Sequence, residues 1–330
     1  MNYVIWVGGI ILGFVLLVKG ADFFVDGAAS LARKLGVSAA IVGLTIVAMG
    51  TSAPEAAVSL TTGVQAGFFG DIHATDMSVG NVLGSNLFNL LFILGLCMMI
   101  KPVPTFGESL TRDFPWAILT TLLFIPMIID GKLALAEGII LLVLFFCYIG
   151  WLLYKSIKNR VVFPDETKQM PVSKSIILLL LGLAMIIVGS QFVVNCARDL
   201  AVTLGMSETI VGLTICAIGT SLPELVTSIV AARKGESELA VGNVIGSNIF
   251  NLLFILGGTI CICTPALEGM QMQVDVAMMT DTIILLAATA MMFLFSFTGK
   301  RSDRAEGAVA VLGYVGYTAF IIIRELNVFA

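Results

Sequence analysis

The chain has 330 residues, of which 58% are hydrophobic and 12% charged, and its mean hydropathy is +1.03. Those proportions exclude an ordinary soluble domain and point to a polytopic membrane protein, with the lipid bilayer as its first partner. The net charge of -4 carries no nucleic-acid signal, because the charges fall mainly between apolar runs.

At about 20 apolar residues per span, the chain divides into ten segments: roughly 3–18, 39–64, 78–100, 115–129, 133–154, 175–197, 208–231, 239–263, 280–298 and 305–323. The first has no basic residue ahead of it and no small-residue cleavage site after it, so it reads as a retained helix. The longest interruption, 155–174, carries Lys155, Lys158, Arg160, Lys168 and Lys174 with Pro164 and Pro171. It separates two halves, 1–154 and 175–330, of five spans each. Fourteen of the 18 lysines and arginines lie in the odd-to-even connections. The positive-inside rule then puts the 155–174 linker in the cytoplasm and both termini outside a cell (inner) membrane. An odd number of spans per half gives the halves opposite orientations. The expected fold is all-α, with ten transmembrane helices as two inverted-topology five-helix repeats.

The halves also repeat in sequence. Residues 41–60 read IVGLTIVAMGTSAPEAAVSL and residues 210–229 read IVGLTICAIGTSLPELVTSI. The blocks at 79–95 and 241–257 differ only at Leu83/Ile245 and Leu87/Ile249. Each first block holds one glutamate, Glu55 or Glu224, directly after a proline. A carboxylate at mid-helix in hydrocarbon is unfavourable by about 2.5–3.5 kcal/mol, so it faces a cavity or a partner and serves ion or proton traffic. Pro54 and Pro223 withhold an N–H from the preceding turn, and Pro54 pushes Ala53 away from helical geometry. The carbonyls around Ala48 to Thr51 and Ala217 to Thr220 are thereby left for another partner, such as a bound cation.

Ser59 and Ser228 follow the glutamates by four residues and share their face. Asn81, Ser85 and Asn89 form a polar stripe matched by Asn243, Ser247 and Asn251, beside Gly80 and Gly84 or Gly242 and Gly246 at a spacing that lets helices approach closely. For Asn81 and Asn243, helix glue and ligand are equal readings; Asn89 and Asn251 are placed in the site. If the halves meet about an in-plane axis, two carboxylates, freed carbonyls, Thr51, Ser52, Thr220, Ser221 and the stripes converge. That all-oxygen set suits hard cations, calcium above all. Cys97, Cys147, Cys196, Cys216, Cys261 and Cys263 read as small buried hydrophobes and His73 as a solvated loop side chain. Loaded with one divalent ion or several monovalent ones, the site can be sealed from both sides. Emptied, it would seal two unpaired carboxylates in a low dielectric, so exchange follows and leak does not.

The paired GTS-x-PE and GN-x-x-GSN-x-x-N blocks resemble the two alpha-repeats of the cation/calcium antiporter superfamily, and the whole chain resembles a prokaryotic sodium/calcium exchanger. The resemblance implies sodium entry driving calcium extrusion by alternating access. It implies that Glu55 and Glu224 hold calcium with the carbonyls of Thr51 and Thr220. Sodium would use the same glutamates, the carbonyls of Ala48 and Ala217, and the hydroxyls of Ser52, Ser221, Ser85 and Ser247, with Asn89 and Asn251 completing the centre. Several family members, potassium-dependent exchangers among them, carry an aspartate where this chain has Asn251, so potassium co-transport is not expected. The short linker leaves no room for a calcium-sensing domain. Calcium and sodium are cargo; no resident cofactor, enzyme activity or obligate protein partner is expected. The alternatives are calcium/proton antiport on the same scaffold and, more distantly, an intramembrane aspartyl protease-like pair of acids.

Overall fold

The computed structural model describes residues 2–69, 73–101, 107–158, 170–206, 217–267, 271–298 and 303–328. Among these, seven helices are long and apolar enough to cross a membrane, or eight if the bent pair Ala39–Thr51 and Ala53–Phe69 forms one span. The chain is a multi-pass membrane protein, almost entirely helical.

It is not strictly all-α. Residues Lys132–Ala134 and Gln271–Gln273 pair antiparallel, with Lys132 opposite Gln273, Leu133 opposite Met272 and Ala134 opposite Gln271. Gly131, at φ 69°, reverses the chain into the first strand, a conformation that glycine adopts without steric cost. Asp130 then accepts the Lys132 N–H and Glu137 the Ala134 N–H, while Leu133 and Met272 are both buried. An apolar side chain on each strand and local carboxylates for the outer N–H groups account for a ribbon that hydropathy alone does not signal.

The spans are longer than their apolar cores. The first, expected over 3–18, runs from Asn2 to Leu35, because nothing breaks the helix at Lys19, Asp22 or Asp26 until Gly36 turns left-handed at φ 67°. The sixth runs Val172–Thr203 and ends at Gly205, its counterpart, at φ 93°. The fourth begins at Gly107 rather than 115, with Pro115 and Pro126 inside it. His73, expected in a loop, is the first residue of the helix His73–Leu87. Residues 159–169 of the linker and 207–216 of the seventh segment, Cys216 among them, lie outside the described residues.

The helices Asn2–Leu35 and Val172–Thr203 run antiparallel through a seam of small residues, Gly13 against Gly189, Gly20 against Gly182 and Gly27 against Ser175. A Cβ on Gly20 would stand 2.8 Å from the Gly182 carbonyl, and one on Gly182 2.6 Å from the Gly20 carbonyl. In lipid, where no hydrophobic effect drives helices together, such backbone approach supplies the packing energy. Gly20 and Gly189 are equivalent in the repeat, so the contact is reciprocal. Gly95 and Gly307 make a similar mutual contact.

The motif helices lie at the centre. In the Ala74–Ile100 and Ser237–Ala266 spans, 72% and 67% of the apolar window is buried, against 17–33% in the others. Both are interrupted by π-helical turns, Phe88–Ile93 and Asn251–Ile255, and a third such turn, Gly43–Val47, precedes the first glutamate. Such turns mark functional sites often enough to direct attention to the residues they carry, Asn89 and Asn251.

Candidate cation-binding site

Each glutamate sits just beyond a helix break. In the first half the helix Ala48–Thr51 ends at Ser52, at φ -81° and ψ 10°, and a new helix, Ala53–Phe69, leaves at 51°. In the second, Ala217–Thr220 ends at Ser221, at φ -92° and ψ 8°, before Leu222–Lys234. The expected break at Ala53 therefore falls one residue earlier. Ala53 is helical, and Pro54 occupies the first turn, where a missing N–H costs nothing. Glu55 and Glu224 thus stand in the first turns of their helices, at the positive end of the backbone dipole.

The freed-carbonyl expectation is corrected at Ala48. Its carbonyl accepts the Ser52 N–H at 3.0 Å and the Thr51 hydroxyl at 3.3 Å. Further on, the Ala56 N–H bonds the Ser52 carbonyl at 3.0 Å, and in the second half the Leu225 N–H bonds the Ser221 carbonyl at 3.1 Å. At Ala217 only the backbone is described, as the start of the short turn before Ser221.

The halves cross at the glutamates. Ser52 donates its hydroxyl to Glu224 Oε1 at 2.8 Å, and Ser221 donates to Glu55 Oε1 at 2.8 Å. All four residues are fully buried. Ser221 Oγ also lies 3.2 Å from Ser85 Oγ, and Thr51 and Thr220 directly precede the two serines in the chain. Glu55, Glu224, Ser52, Ser221, Ser85, Thr51 and Thr220 are therefore brought together.

Asn81 and Asn243 are tied to protein groups. Asn81 Nδ2 donates to Ser59 Oγ at 2.9 Å, and Asn243 Nδ2 donates to Ser228 Oγ at 2.9 Å while its Oδ1 accepts from Thr51 at 3.1 Å. They hold the broken helices to the central ones. Asn89 and Asn251 are fully buried and donate across the halves, to Asn248 Oδ1 at 3.1 Å and Asn86 Oδ1 at 3.0 Å. Asn86 and Asn248 were missed as site residues, because the four-residue stripe skips them. The signal was present in the twice-repeated GSN triplet.

Among the buried polar atoms without a hydrogen-bond partner in the protein are Glu55 Oε2, Glu224 Oε2, Asn89 Oδ1, Asn251 Oδ1 and Ser247 Oγ. An orphaned buried acceptor costs about 1–3 kcal/mol, more when charged. Four of these five atoms belong to residues that the repeat pairs, Glu55 with Glu224 and Asn89 with Asn251. Oxygen acceptors of this kind fit a hard cation.

A bundle of membrane helices around a buried two-carboxylate, all-oxygen site defines a membrane cation transporter. The chain belongs to the sodium/calcium exchanger protein family, whose family model matches residues 5–154 and again 174–323. It is 39% identical over 321 residues to the putative antiporter CaxA of Alkalimonas amylolytica, covering 93% of this chain and 96% of that one. It is 33% identical to the sodium/calcium exchanger MaX1 of Methanosarcina acetivorans, covering 95% and 97% of the two chains. The solved structure of the sodium-calcium exchanger NCX_Mj superposes with a TM-score of 0.80 at 30% identity, covering 96% of this chain and 98% of that one. These relatives are transporters, and the chain is a cation/calcium antiporter.

Proposed function

We propose that the protein exchanges sodium for calcium by alternating access, with sodium entry driving calcium extrusion and no requirement for potassium. Glu55 and Glu224 would hold calcium with the carbonyls of Thr51 and Thr220. Sodium would use the same carboxylates, the carbonyls of Ala48 and Ala217, and the hydroxyls of Ser52, Ser221, Ser85 and Ser247, with Asn89 and Asn251 at the centre. The observation that carries this reading is the crossed pair of serine–glutamate bonds, which leaves one oxygen of each carboxylate orphaned and buried. The Ala48 carbonyl keeps a role because a carbonyl oxygen has two lone pairs.

The architecture in this reading is ten spans in two inverted five-helix repeats, 1–154 and 175–330, with a cytoplasmic linker at 155–174 and both termini outside. The antiparallel seam between the first helices of the two halves supports it, since equivalent helices of one repeat run in opposite directions. Exchange rather than leak follows from the charge: two carboxylates without a cation are costly to enclose.

The test is calcium flux from loaded proteoliposomes under imposed sodium, proton or potassium gradients. Sodium alone should drive calcium release, with potassium having no effect. Release driven by a proton gradient with no response to sodium would replace this reading with calcium/proton antiport.

A further inference from the structure

We propose that Asn86 and Asn248 are positioning residues that fix the polarity of the Asn89 and Asn251 carboxamides, each acting on the ligand of the opposite half. This rests on the reading of Asn89 and Asn251 as ion ligands.

The four amides form one connected cluster, in which Asn86 and Asn248 bond each other reciprocally and Asn89 and Asn251 each donate to one of them. Asn86 Nδ2 donates to the Asn248 carbonyl at 3.1 Å and Asn248 Nδ2 to the Asn86 carbonyl at 3.0 Å. Asn89 Nδ2 donates to Asn248 Oδ1 at 3.1 Å and Asn251 Nδ2 to Asn86 Oδ1 at 3.0 Å. The residues are 0–3% exposed, so no bulk water competes.

A carboxamide's nitrogen and oxygen are distinguished by their partners. The NH2 groups of Asn86 and Asn248 face backbone carbonyls, which only accept. Turning either amide over would set two oxygens against each other and leave an NH2 unmatched. Their Oδ1 atoms are therefore fixed as acceptors, and only an NH2 can face them. That obliges Asn89 and Asn251 to direct Oδ1 elsewhere, and these two Oδ1 atoms are the ones that find no partner in the protein. The Asn86/Asn248 pair thus makes the cluster present two acceptors, not two donors, to a cation. Without it, Asn89 could turn its NH2 toward the ion and repel it. Control is crossed, because Asn248 sets Asn89 and Asn86 sets Asn251.

The experiment is equilibrium binding of radioactive calcium to the purified full chain in detergent, read as double-variant cycles. Asn248→Leu should weaken binding about tenfold, the size expected when a buried hydrogen bond is lost. Adding Asn89→Ala to it should cost little more, whereas adding Asn251→Ala should cost the full factor of that single variant. Asn86→Leu should show the mirror pattern, coupled to Asn251 and independent of Asn89. Equal coupling of Asn248→Leu to both ligands, or none to either, would overturn the proposal, since a general packing defect gives no crossed pattern. If leucine prevents folding, Asn248→Ala removes the same acceptor without a branched side chain and should give the same crossed pattern; equal coupling to both ligands in that folded variant would equally overturn it. If Asn89→Ala and Asn251→Ala alone leave calcium binding unchanged, the ligand reading itself fails and takes this inference with it.

Discussion

At Glu55 and Glu224 the charge count decides the outcome of substitution. Either Glu→Gln leaves one negative charge for a divalent ion in a buried site, and calcium uptake into vesicles should fall to background in both variants. Ser52→Ala and Ser221→Ala each remove one charge-assisted bond, worth about 1.5–3 kcal/mol, so calcium affinity should drop about tenfold or more in binding measurements. The two serines should behave alike, because their bonds to the opposite glutamates have the same length. Asn251→Asp should change ion preference in uptake with and without potassium, with the fold intact but a lower melting temperature. It also replaces an NH2 by an oxygen 3.0 Å from Asn86 Oδ1, so the change should be larger than at a position with a free neighbour. Most of these residues stood out in the sequence, because the same carboxylates, hydroxyls and amides recur inside the apolar runs of both halves. Asn86 and Asn248 did not. Their role depends on which groups of the opposite half they meet, and spacing within one helix does not reveal that.

Among the elements, the broken helices were legible and their exact geometry was not. Pro54 and Pro223 announce a break, but they sit comfortably one residue inside the new helix, so the break passes to Ser52 and Ser221. Helix lengths were underestimated for a different reason. Hydropathy falls at Lys19, whereas the hydrogen-bonded backbone ends only where Gly36 turns left-handed. The glycine seam gives an element-level prediction. A side chain at Gly182 would meet the Phe24 nitrogen at 2.5 Å, so Gly182→Val should cost about 1–3 kcal/mol by overpacking and lower the melting temperature in detergent. Gly316, where a Cβ meets nothing within 4 Å, is the control, and Gly316→Val should leave melting unchanged.

For the whole molecule, the composition made the membrane class plain, and the distribution of basic residues predicts an orientation. Orientation is checked by labelling: on a background without native cysteines, an impermeant maleimide applied to intact cells should modify Lys132→Cys and spare Lys158→Cys. Contacts between distant parts were not readable. Arg33 pairs with Glu236 at 2.9 Å and Lys234 with Asp26 at 2.8 Å, tying the first helix to the end of the Leu222–Lys234 helix. Such partly exposed pairs contribute little energy singly, about 0–1 kcal/mol, and serve more to fix register.

The seam between Asn2–Leu35 and Val172–Thr203 has a consequence for how the protein is made. Its two sides are separated by more than a hundred residues of chain, and synthesis delivers the amino-terminal side first. Until the ribosome has released the later helix, Gly13, Gly20 and Gly27 have only lipid tails for company. The helix of this pair made first therefore waits for the other before it is fully packed, and a truncated amino-terminal half should be short-lived in cells.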